Sequence, residues 1–288
     1  FAPPGSPGSP WPRRESPLQE MDAKSWAILR KTVRKAAQQT NVTLLNKAAE
    51  RGVNGAWRLR EDPPVLTRVD ERTREQIILG LNAYAPSLPP ERRHMLRRYH
   101  VVDVAHRIVG VGSVGTRAYL VLLFGNGDDD PLFLQVKEAV VPAHAPYLPA
   151  LPPNFSHQGR RVVVGQHALQ ASSDVMLGWT TIDGSPFYVR QMKNLKGAIP
   201  VERLTGRSFD FYAWTCGSVL ARAHARTSDA ALIAGYCGNS DALDKALAEW
   251  AEAYGDQTER DHAVLVKAIK SGSVKAIMGV FAIDGDPV

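Results

Sequence analysis

Residues 107–138, RIVGVGSVGTRAYLVLLFGNGDDDPLFLQVKE, constrain this chain more than any other stretch. A glycine loop, Gly110-x-Gly112-x-x-Gly115, lies between apolar runs, and a further apolar run ends in Val136-Lys137. In a dinucleotide-binding fold the same glycine spacing must open a helix directly after a strand. Here it is followed by Arg117–Phe124, a run rich in β-formers, so the pattern is strand, glycine turn, strand. The run Pro131–Val136 makes a third strand with Lys137 at its end.

Two readings of this pattern stay open. A hairpin needs glycine wherever φ is positive, so an ordinary three-stranded meander with a lysine at an exposed strand end accounts for it. Strand, glycine loop, strand and lysine-bearing strand is also how protein kinases cover the phosphates of ATP and pair a lysine with them. On that reading Gly110, Gly112 and Gly115 let backbone N–H groups approach phosphate oxygens, and Ser113 adds a hydroxyl at the loop tip. Lys137 then bridges the phosphates as a point charge. Glu138 should point to the opposite sheet face, which makes it a poor partner for Lys137. The next helix offers Gln166 and Gln170, with Asp174 just past its end.

The remaining elements follow from hydrophobic period and turn residues. The first 22 residues, rich in Pro, Gly and Ser, read as a disordered tail. A helical segment spans 23–100, with helices expected over Lys24–Gln39, Asn41–Glu50, Glu71–Tyr84 and Pro89–Tyr99 and an extended stretch at Trp57–Val69. A glycine-loop sheet occupies 101–198, including a helix over Gly159–Ser173 and strands at Val175–Trp179 and Pro186–Met192 around the turn Asp183-Gly184. A helical region, 199–288, holds an Ala-rich helix over Phe209–Arg226 and a stretch over Ser240–Ile269 expected to break near Gly255. The expected class is α+β, with about five mostly antiparallel strands and two lobes.

Composition excludes several classes. Of 288 residues, 44% are hydrophobic and 22% charged, which is ordinary for a globular chain. The net charge of +6 sits largely in the first hundred residues at helical spacing, so a solvated helix face explains it better than a nucleic-acid surface. No apolar run is long enough to span a bilayer. Cys216 and Cys237 lack metal spacing and read as free, buried thiols in a reducing, cytoplasmic setting. The first residue is Phe1, so the chain reads as processed or truncated. No zinc-type histidine spacing and no GxSxG elbow is present.

Other candidates are more isolated. Phe187–Met192 reads as a strand leading to a hinge, whose end, Arg190 and Gln191, could meet an adenine. Arg190 in an apolar strand needs a partner, and Asp174 is the expected one. Arg222, His224, Arg226 and Asp229 lie at a helix end, where Asp229 is a candidate base or metal ligand. Asp256, Glu259 and Asp261 read as a solvated helix face.

The phrases VDVAHRIVGVGSVGTRAYLVLL, DPLFLQVKEA, RRVVVGQHALQASSDVMLGW, FYVRQMKNLKG, CGSVLARAHARTSDA and AYGDQTERD together resemble the bacterial domain-of-unknown-function 2252 family, from about Lys24 to Ile277. The resemblance implies kinship with the protein-kinase-like fold in a rearranged order. It thus implies ATP with Mg2+ as the ligand of an enzyme acting on a small molecule. Family members carry GDxHxxNFG-like and NDFDE-like phrases that would supply catalytic and metal-binding acids, and neither phrase occurs here. The alternative expectation is a non-catalytic nucleotide-binding or protein-interaction module.

Overall fold

The computed structural model describes residues 23–108, 110, 115–149, 155–192 and 197–276. Its centre is a six-stranded sheet of β3 (Leu66–Arg68), β4 (His100–Arg107), β5 (Ala118–Phe124), β6 (Pro131–Glu138), β7 (Gly178–Ile182) and β8 (Ser185–Gln191). Their order is β3-β4-β5-β6-β8-β7, and every neighbouring pair is antiparallel. A separate hairpin pairs β1 (Ala49–Arg51) with β2 (Trp57–Leu59). The strands are more numerous than the sequence suggests, because three-residue pieces such as β1, β2 and β3 carry too little periodic signal to be seen.

Strand β5 is buried at all seven positions. Both sheet faces are covered, so the strand reads as one apolar run instead of alternating. On one face Tyr119, Val121 and Leu123 pack with Leu132, Leu134 and Val136 and with Ile77, Leu81 and Tyr84 of α3 (Glu71–Tyr84). On the other, Leu120, Leu122, Phe124 and Phe133 pack against Leu44, Leu45 and Ala48 of α2 (Asn41–Ala48) and against Leu59.

Polar contacts fix the layers in place. A β-bulge between Val101 and Asp103 turns the Asp103 carboxylate to accept the N–H of Leu59 at 2.7 Å, which ties the hairpin to the sheet. Trp57 stacks on Phe124 and donates to Asp128, which also pairs with Arg51. Asp70 caps α3 by accepting the N–H of Thr73. Helix α5 (Gln158–Leu169) packs on β7 and β8. It lies so close that a side chain at Gly159 would strike the Phe187 carbonyl.

Asp183 and Gly184, both at positive φ, turn β7 into β8. Helix α1 (Ala23–Ala37) precedes the hairpin, and α4 (Pro90–Leu96) lies between α3 and β4. After the sheet come α6 (Arg207–Thr227), α7 (Ala230–Cys237) and α8 (Ala242–Lys270).

Helix α8 is continuous through Gly255, contrary to the expected break. One glycine costs only about 1 kcal/mol against alanine, and good helix formers surround it. The turn of chain after Asp229 forms α7, whose apolar AALIAGYC lacks a helical period. Cys216 is exposed and Cys237 half-buried, both free, which corrects the expectation of buried thiols. The helices that carry them bury few of their own residues. No helix among the described residues is long and apolar enough to cross a membrane.

Phe133 is fully buried in the α2-facing layer. Phe133→Ala is expected to lower unfolding stability by about 3–5 kcal/mol, read as a fall in the urea midpoint at unchanged slope. A loss below about 1 kcal/mol would mean that this layer is not a packed core.

Candidate anion-binding site

Alternation along β6 sends Leu134 and Val136 to the α3 face and Phe133 to the α2 face. Gln135 and Lys137 therefore share the face of Phe133. The register sets Lys137 between Ala118 and Tyr188, and Gln135 opposite Arg190. Ala105 lies on the same face, which brings Arg107, two residues on, to that side as well. Three cations, Arg107, Lys137 and Arg190, thus gather where β4 and β5 run into the glycine loop.

Their contacts are specific. Arg190 donates from Nε to Gln135 Oε1 at 3.1 Å. Arg107 is only 5% exposed, and its Nη1 sits 2.9 Å from Met192 Sδ. Burial, then the charges of Arg190 and Arg107, hold the Lys137 ammonium below the usual lysine range. Mutual repulsion between like charges at close range is a standing attraction for an anion.

The expected ion pair between Arg190 and Asp174 does not form; Gln135 takes that place. Asp174 Oδ2 accepts the backbone N–H of Gln191 at 2.6 Å, and Oδ1 accepts that of Met176 at 2.8 Å. Burial raises its pKa, while those two bonds and the Arg190 charge lower it. Asp174 is therefore a latch on the outgoing end of β8. Register could not reveal this from sequence, because the loop between α5 and β7 decides where the carboxylate lands.

Glu138 lies on the face opposite Lys137. It accepts from Arg117 Nε at 3.1 Å, Nη2 at 2.9 Å and the Arg117 backbone N–H at 3.0 Å. The Arg117 guanidinium also lies 5.3 Å over the Phe187 ring. This clamp ties the start of β5 to the end of β6, and Arg117 holds Glu138 below the usual carboxylate range.

Gly115 adopts φ +81°, which favours glycine, and Gly110 faces open space. Gly112 and Ser113 lie outside the described residues. Asp229 caps α7, accepting the N–H groups of Ala231 and Leu232. The α6–α7 segment meets the sheet layers through α5, where Arg226 donates to the Leu169 carbonyl. Among the described residues no group of three or more His, Cys, Asp or Glu could hold a metal ion. Sequence reading missed Arg107, Gln135 and Tyr188. The signal available was period two: Gln135 and Lys137 are two apart, and Arg107 lies two residues beyond Ala105.

The fold is thus an α+β protein with a mainly antiparallel sheet and a cationic face beside a glycine loop. Residues 15–268 match the model of a family described as an uncharacterized protein conserved in bacteria (DUF2252), and the chain belongs to that family. No curated protein and no solved structure matches it.

Two substitutions test this account. Asp229→Ala should cost about 1 kcal/mol of stability as a lost cap, and Asp229→Asn much less; equal losses in urea unfolding would remove the capping role. Glu138→Gln should cost about 1 kcal/mol at neutral pH, discounted for the part-exposed Arg117. Because the folded-state pKa of Glu138 is lowered, its contribution is complete above the unfolded value. It is lost as pH falls through the folded value. The stability gap between wild type and Glu138→Gln should therefore close below pH 4.5, the ordinary value; a gap that is constant down to acid pH would contradict the clamp.

Proposed function

We propose that the chain binds the phosphates of a nucleotide, ATP foremost, beside the glycine loop. In this reading it is the nucleotide-holding part of a kinase-like phosphotransferase that acts on a small molecule. The observation that carries the reading is the convergence of Arg107, Lys137 and Arg190 on one sheet face at the loop end. A lysine on the third strand after β4 and the loop, followed by a helix laid on the sheet, supports it by analogy with protein kinases. Two features differ from that analogy. The helix α5 has no glutamate to pair with the lysine. The described residues also do not fit a protein-held Mg2+, so Lys137, Arg107 and Arg190 are assigned to phosphate binding and no transfer step is assigned to the acids.

A second reading, a protein-interaction module, draws support from the large apolar side chains left exposed on the last three helices. Tyr236 is 84% and Trp250 62% exposed.

ATP with magnesium at a hundredfold above its Kd should add about 2.7 kcal/mol of stability to the wild type, seen as a rise in Tm, and Lys137→Ala should lose the rise. Affinity should also fall as pH climbs through the lowered Lys137 pKa, earlier than for an ordinary lysine. No shift in wild type and variant alike would leave the loop as a structural hairpin and sink the phosphotransferase reading.

A further inference from the structure

Building on the nucleotide reading, we infer that this site holds its ligand by the phosphate chain and not by the base, so that ATP, GTP and inorganic tripolyphosphate are bound alike. A base is distinguished by donors and acceptors along its edge and by an apolar surface under its ring. At the end of β8 both described N–H donors are already engaged. Gln191 donates to Asp174 and Met192 to the Phe133 carbonyl.

Most apolar side chains of this face are also spent. Ala118, Leu120, Phe133 and Met192 are all buried, Met192 with 3% exposure, and the Arg107 guanidinium lies on its sulfur. Toward the loop end of this face Lys137, Tyr188, Arg190 and Trp179, the β7 partner of Tyr188, are partly exposed, with the Arg160 guanidinium 5.8 Å from the Trp179 ring. Two of these are cations, Tyr188 offers a phenol O–H and Trp179 an indole ring. Stacking on Tyr188 or Trp179 would not separate one base from another, since every base presents a π-face. Two partly exposed cations, with the buried Arg107 charge behind them, match the multiple charge of a triphosphate.

The test is isothermal titration of the full chain with ATP, GTP, inorganic tripolyphosphate and adenosine, at one pH and one salt concentration. The three polyphosphates should bind within about threefold of one another, a spread below 1 kcal/mol, and adenosine should not bind. Arg190→Gln should weaken all three by about tenfold or more, the effect of removing a charged hydrogen-bond partner. Lys137→Ala carries the same expectation if Arg190→Gln does not fold.

ATP binding tenfold tighter than GTP and tripolyphosphate, or binding of adenosine alone, would overturn this inference and leave the nucleotide reading standing. Binding of none of the four would end both. Polyphosphate binding that persists unchanged in both variants would be generic attraction to a basic chain of pI about 9.4, and would overturn the inference as well.

Discussion

Strand β5 lies at the middle of everything else: it pairs with β4 on one edge and β6 on the other, and its side chains are buried on both faces. A strand in that position must be apolar at every residue and must have a cover on each side. The α3 layer supplies one cover, and α2 with the β1–β2 hairpin supplies the other. Because the α2-side cover is short, the apolar layer on that face gives way toward the loop end. There the same alternation that buries Phe133 presents Gln135 and Lys137.

The cationic site is thus a consequence of a core that stops. Lys137, Arg190 and Arg107 sit at the margin between a dry layer and solvent, close enough to perturb one another. Bringing like charges together at such a margin costs stability in the free protein. Polar neighbours hold the arrangement in place: Gln135 orients Arg190, Asp174 fixes the end of β8, and the Arg117–Glu138 clamp squares the hairpin from the opposite face. Acids serve here as anchors of backbone and strand ends.

The last three helices behave differently from the sheet. None of α6, α7 and α8 has a buried apolar residue, although α8 alone runs for 29 residues. Helices in proteins draw most of their stability from tertiary packing of an apolar stripe. In α8 the stripe includes Trp250 stacked on Tyr254 at 5.1 Å, a contact within the helix itself. Asp229 belongs to this part of the molecule, as the cap of α7, and not to the cationic face.

Much of the fold was legible in the sequence where period and punctuation agree. The α3 helix from Glu71 to Tyr84, the continuous apolar β5, and the Asp183-Gly184 turn each rest on local rules of spacing and φ. Lys137 could be singled out because it ends a strand next to a glycine loop, and Glu138 could be sent to the opposite face by alternation alone. What the sequence could not supply was any relation between distant strands. That Arg107 reaches Met192 across β5, that Gln135 and not Asp174 meets Arg190, and that β3 joins the sheet edge all depend on register and strand order. Local rules determine which way a side chain points; only the pairing of strands far apart in the chain decides what it points at.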